Sequence, residues 1–245
     1  MEAIISDIHG NLEALQAVVL AIEGVKVICL GDVVCCGADS IECVRISEKW
    51  DAVIAGPMDL AMTSHNSELW SPVLDDLIHN TRRQLLQSPD ADSLFRILKS
   101  YRSEFALDDK YFFHGAPRDI RDWIFPEDIY DPSKLNRLVD FSPESIFIGG
   151  GSHIPGIYVR SEKSWDYVEP ENGKSYDFTS NDKTIVSIGS VGQPRDGDPR
   201  AAYALLDDRK IVFQRIDYDM DAARKKIEDD PDIDDMFGAR LPEGK

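Results

Sequence analysis

Asp7-Ile8-His9-Gly10-Asn11, Gly31-Asp32, Gly56-Pro57-Met58-Asp59, His114-Gly115 and Gly150-Gly151-Ser152-His153 bring carboxylates and imidazoles to the ends of five short apolar runs. Carboxylate oxygen and imidazole nitrogen together suit divalent ions such as Mn, Fe or Zn. Alone, Asp7 and His9 read as a capping Asp and a loop His before a helix; in register with Asp32 and His153 they favour a metal site. His114 stands evenly between a ligand and a hydrogen-bonded loop residue, and Asn11 reads as a helix cap.

These groups need elements that bring distant loops to one point. Ala3–Ser6, Val25–Leu30 and Ala52–Ala55 are apolar runs with strand character, separated by two helical stretches. Leu12, Leu15, Val19 and Ile22 recur at helical spacing behind Asn11, and residues 40–49 form the second helix. Strand–helix–strand–helix–strand implies a parallel sheet with right-handed crossovers. Loops at the C-terminal ends of such strands converge, and all five motifs fall there. Residues 68–100 read as helix, broken at Ser88-Pro89-Asp90, where one helix stops and the next is capped. Tyr111–Phe113 and Ile146–Ile148 are further buried strands; from Ile157 onward, runs at 157–159, 184–188, 202–206 and 211–213 between turn residues predict antiparallel strands. After Asp217 the chain predicts a charged helix capped by Asp219, then an acidic, disordered end.

Composition narrows the classes of function. With 45 acidic against 27 basic residues, net charge −18, the 245-residue chain opposes nucleic acid and anionic membranes. No apolar stretch approaches the roughly 20 residues of a membrane span. Cys29, Cys35, Cys36 and Cys43 lie too close together for a disulfide framework and predict reduced thiols in a cytoplasmic protein. Cys35 and Cys36 could present a soft ligand, but small buried hydrophobes in a tight loop is the plainer reading. Gly149-Gly150-Gly151 lacks the Lys-Ser/Thr and helix of a phosphate-binding loop. His65 and His79 have no motif around them and read as surface residues.

The order DxH, GD, G-P-M-D, H and G-G-S-H resembles the calcineurin-like metallophosphoesterases, whose pattern is DxH, GD, GNHD, H and GHxH. Phe113–Asp119 and Gly189–Arg200 resemble the small stand-alone bacterial and archaeal branch. The resemblance implies a four-layer αββα sandwich of two mixed sheets, a single domain over 1–245 with residues 219–245 as a charged C-terminal helix and tail. It implies a first metal held by Asp7, His9, Asp32 and His153. The second-metal positions are Asp32, Pro57, His114 and Gly151, two of which cannot coordinate. The catalytic His of the family stands here as Met58, which neither carries a proton nor donates a hydrogen bond, and Asp59 loses the partner it orients in the family. Arg195 and Arg118 are candidate phosphate contacts, with salt bridges to nearby Asp residues an equal reading.

Two metals would leave the site near +2, and one near zero, which weakens attraction for a phosphate dianion. The implied cofactor is one divalent transition metal (Mn, Fe or Zn), with a second weakly held or absent. Two functions stay open. One is a weak metal-dependent hydrolase of small phosphate mono- or diesters; the other is a non-catalytic relative that binds a ligand or partner. If only ligands are missing, Pro57→Asn, Met58→His and Gly151→His together should raise activity.

Overall fold

A computed structural model describes residues 1–64, 71–162, 164–179 and 182–245. His65 and the start of the helix expected from residue 68 lie outside the described residues. The strands are β1 Glu2–Ile5, β2 Lys26–Cys29, β3 Ala52–Val53, β4 Phe105–Leu107, β5 Lys110–His114, β6 Ile146–Gly150, β7 Gly156–Arg160, β8 Trp165–Val168, β9 Ser175–Asp177, β10 Thr184–Ser187, β11 Ala201–Asp207 and β12 Lys210–Ile216. The α-helices are α1 Leu12–Ala21, α2 Ser40–Ser47, α3 Pro57–Thr63, α4 Pro72–Gln87, α5 Ala91–Ser100, α6 Pro132–Val139, α7 Met220–Asp229 and α8 Met236–Arg240.

The strands form two six-stranded sheets, β3-β2-β1-β11-β12-β9 and β4-β5-β6-β10-β7-β8. Each is mixed. β1–β2–β3 and β5–β6–β10 run parallel, and the outer strands add antiparallel. Period-2 alternation builds the layers. Ala3 and Ile5 of β1 pack with Leu15, Val18 and Val44 on the helical side, while Ile4 turns to Ile148 and Val186 between the sheets. On the far face of the second sheet, Phe147 meets Leu135 and Val139 of α6. The result is helix, sheet, sheet, helix. Strands covered on both faces read as unbroken apolar runs, which explains why Ala3–Ile5 shows no polar alternation.

Asn11 caps α1, its Oδ1 accepting from Ala14 N at 3.1 Å, and Asp219 caps α7 in the same way at 3.0 Å. Several expectations need correction. Ordered pairing at the third strand stops at Val53, with Ile54 making an isolated bridge to Arg102. Asp90 does not cap α5 through its side chain; its carboxylate instead receives Arg45 at 2.9 and 2.7 Å. β10 is not wholly antiparallel, since it runs parallel to β6. The acidic end is folded: Ile233, Phe237 and Leu241 are only 8, 3 and 4 % exposed and join the core beside α7. Ile233 lies just before α8, Phe237 within it and Leu241 in the 3-10 turn that follows, and the surrounding carboxylates obscure this apolar spacing of four. Among the described residues, no helix is long and apolar enough to cross a membrane.

Candidate metal centre and its cleft

The loops leaving β1 and β2 zip together through His9 N to Asp32 O and Gly10 N to Val33 O, both 2.9 Å. Asp7, His9, Asp32 and His153 all hold left-handed backbone, with φ of 54, 50, 51 and 61°. That conformation costs an L-residue about 1–2 kcal/mol. Its return here is direction: the tight turns gather these side chains into neighbouring donor groups that share Asp7. Gly56 permits the close approach of β3, since a Cβ there would lie 2.1 Å from Asp32 Oδ1.

At the centre, His9 Nε2 and His153 Nε2 are 3.2 Å apart, and His153 Nε2 is 3.5 Å from Asp7 Oδ1. His9 Nε2 lies 3.8 Å from Asp32 Oδ2 and 4.0 Å from Asp7 Oδ1. Neighbouring donors around an ion with bonds of about 2.0–2.2 Å are roughly 3.0–3.5 Å apart, so the first two separations match and the others are slightly wide. His153 Nδ1 donates to Gln193 O at 2.6 Å, which turns its Nε2 inward, and His114 Nδ1 donates to Leu30 O at 2.7 Å. Such outer hydrogen bonds orient metal-ligating imidazoles. Asp7 Oδ1 and His114 Nε2 are buried with no hydrogen-bond partner, an expensive condition that a cation relieves. Two trios of donors therefore meet, Asp7–His9–His153 and Asp7–Asp32–His114.

Burial sets the charge states. It pushes the Asp32 carboxyl well above the usual range, helped by the Asp7 charge, and raises Asp7 too. It lowers His9 to about 3 and His153 well below the ordinary imidazole value, with Arg195 adding to both. The imidazoles thus stay neutral and keep their lone pairs. A divalent cation would reverse the carboxylate shifts by favouring their ionised forms. The donor set fits such an ion.

The opposite side is built differently. Pro57 is the first residue of α3, a position that tolerates a missing N–H. Met58 donates its backbone N–H to Asp32 Oδ1 at 2.9 Å, and its thioether chain lines the cleft. Asp59 is not idle: Oδ1 accepts from Val33 N at 2.9 Å and Oδ2 from Gly56 N at 2.9 Å, which ties the β2 and β3 loops together. Burial, then Asp32, raises its pKa to about 7. At Gly151, φ +104°, a Cβ would stand 2.7 Å from Trp123 Cδ1 and 3.1 Å from His114 Nε2. Trp123 fills the space into which a side chain at 151 would project.

The cleft above the centre holds about 300 Å³, with Met58, Trp123, Arg195, Met236, Phe237 and Arg240 in its wall. Arg195 lines it and hydrogen-bonds Gln193 Oε1 at 2.8 Å. Arg118 does not: its guanidinium lies 4.1 Å from the Phe141 ring centroid, outside the cleft lining. His79 is exposed on α4, its Nδ1 2.8 Å from Asp75 O. All four cysteines are buried free thiols; Cys36 touches the cleft, its pKa pushed up by burial to about 12, and neither donor trio includes a sulfur. Trp123 and the α8 residues escaped sequence reasoning. Only the apolar residues at 233, 237 and 241 signalled that the chain end folds back.

The calcineurin-like phosphoesterase superfamily domain matches residues 1–210. The uncharacterized protein MJ0912 of Methanocaldococcus jannaschii is 31% identical over 235 residues, 93% of this chain and 91% of that protein. The crystal structure of a metallophosphoesterase from Sphaerobacter thermophilus matches with TM-score 0.85 and 28% identity, over 99% of this chain and 98% of that one. The hypothetical protein PH1004 from Pyrococcus horikoshii OT3 shares the fold, with TM-score 0.73 and 17% identity over 100% of this chain and 98% of that one. With the predicted two-sheet sandwich in place and the family domain spanning most of its length, the chain belongs to the calcineurin-like metallophosphoesterase superfamily.

Proposed function

We propose that this protein is a weak phosphate-ester hydrolase that depends on one divalent transition metal (Mn, Fe or Zn), held by Asp7, His9, Asp32 and His153. The observation that carries this reading is the convergence of His9 and His153 on a buried, unpartnered Asp7 Oδ1, with Asp32 Oδ2 3.8 Å from His9 Nε2. A bound divalent ion supplies positive charge toward a phosphoryl group and makes water more acidic. Asp32 and His114 extend the donor set toward a second position, where the absence of side-chain donors at Pro57 and Gly151 makes any second ion weak.

The chain's own residues set the rate. Arg195 brings positive charge to the cleft mouth of an otherwise acidic protein and offsets its repulsion of phosphate. Met58 offers no proton to a leaving group, and losing a general acid costs typically 10²–10⁴-fold. Esters with good leaving groups suffer least. Metal analysis of the purified protein should therefore give close to one ion per chain. Turnover of an aryl phosphate with added Mn²⁺ should be slow and should vanish in Asp32→Asn; two ions per chain, or undiminished turnover in that variant, would overturn the reading.

A second reading, a non-catalytic relative that binds a ligand or partner, draws on one observation: the Trp123 indole packs where a second-metal ligand at 151 would project. No turnover under any metal, with phosphate still bound, would favour it.

A further inference from the structure

Many arginines in this acidic chain pair with carboxylates. Arg45 pairs with Asp90, Arg83 with Asp232, Arg160 with Asp140, Arg200 with Asp198 and Arg215 with Asp196. Arg195 and Arg240 are the arginines that line the metal-centre cleft. Among the described residues, neither has a carboxylate oxygen within the 4 Å of an ion pair; Arg195 holds only Gln193, and Arg240 stands 5.9 Å from the Phe237 ring centroid. Both line the cleft that contains His9, Asp32 and His153. Two guanidiniums converging without an anion repel each other, and an anion bound between them removes the repulsion.

The rest of the wall has a different character. Met58, Trp123, Met236 and Phe237 present two thioethers and two aromatic rings. Thioethers and ring edges favour aromatic partners. Arg240, Met236 and Phe237 all come from α8, beyond the 1–210 region that the superfamily domain matches. The folded chain end thus adds both a cation and an apolar face to a site whose floor is the metal centre.

We propose that Arg195 and Arg240 form a two-arginine clamp for the phosphoryl group of an aryl phosphate monoester, whose ring packs against Met58, Trp123 and Met236. A monoester dianion supplies enough charge and oxygens for two guanidiniums, each able to make paired hydrogen bonds. This inference rests on the reading of the site as a metal-dependent phosphoesterase, and it assigns α8 the choice of substrate.

The test is calorimetric titration of the Mn²⁺-loaded full chain with phenyl phosphate, inorganic phosphate and diphenyl phosphate. Phenyl phosphate should bind at least about tenfold tighter than either of the others. Arg240→Gln should weaken phenyl phosphate and inorganic phosphate by about tenfold or more, as expected for loss of a charge-assisted hydrogen bond. Met236→Ala should weaken phenyl phosphate alone by a few-fold. If Arg240→Gln melts early, Arg195→Gln, at an exposed position, carries the same expectation. Unchanged binding in a folded Arg240→Gln protein, or tighter binding of the diester, overturns the clamp. Mn²⁺ content measured on each sample separates the two levels: no uptake by the wild type sinks the metal reading. The clamp is then judged by the same titrations without metal, where Arg240→Gln must still weaken phosphate.

Discussion

The two sides of the centre differ in what their side chains lack. Around Asp7, His9 and His153, donors converge and Asp7 Oδ1 has no partner within the protein. Around Pro57, Met58 and Gly151, coordinating groups are absent and packing has closed in, with Trp123 against Gly151 and Pro57 starting a helix. A buried polar atom without a partner costs roughly 1–3 kcal/mol, so leaving one in place makes sense where an ion completes it. The other side keeps an orphan of its own, His114 Nε2, beside positions 57 and 151 that offer no side-chain donor. Missing ligands here are a repacked wall, not a hole.

Removing a donor from the intact side should give the largest effect. Asp7→Asn or Asp32→Asn should weaken Mn²⁺ uptake by at least about 100-fold in equilibrium dialysis, because each ligand carries charge as well as a bond. Full retention of metal would erase the contrast between the sides. Next comes rebuilding the other side. Gly151→His should cost about 2–3 kcal/mol in denaturant unfolding, from left-handed backbone strain together with overpacking against Trp123. It should add no second ion, and Trp123→Ala in the same chain should recover part of the loss. The triple replacement that restores the family's ligands is therefore expected to fail while Trp123 remains.

A smaller, pH-dependent effect follows from the buried acids. In the metal-free protein, Asp7 and Asp32 have raised pKa values, so the folded state holds their protons above pH 3.8 where the unfolded state has released them. Their contribution to stability therefore falls as pH rises. His9, lowered to about 3, works the other way: between about 3 and 6.5 the unfolded chain binds more protons, and stability rises with pH. Mn²⁺ favours their ionised forms, so the melting-temperature increase on adding Mn²⁺ should be greater at pH 8 than at pH 5. An equal increase at both values would place the ion elsewhere. The smallest effect sharpens the comparison from outside it: Arg118→Ala, beside Phe141, should leave phosphate affinity unchanged and stability within about 0.5 kcal/mol.

Residues near one another in sequence were the easiest to read. Asn11 ahead of Leu12–Ala21 and Asp219 ahead of Met220–Asp229 act over one helical turn, and both caps are where the pattern puts them. Asp90 shows the limit: its cap position is right, but a charged partner from α2 takes the side chain. Asp59 likewise reads as a stranded relic in isolation, and only the neighbouring loops reveal three backbone donors around it. Arg118 and Arg195 look alike in sequence, and the fold sends one to an aromatic ring and the other to the cleft.

By itself, the sequence determined the two-sheet sandwich and supplied the candidate donors, because apolar period and motif order are local properties repeated at each strand end. Tertiary structure alone decided that Trp123 would stand against Gly151, and that Arg240 would come back beside Arg195. Those contacts join segments with no shared period, and their partners are chosen by the space and charge left once the sheets have packed.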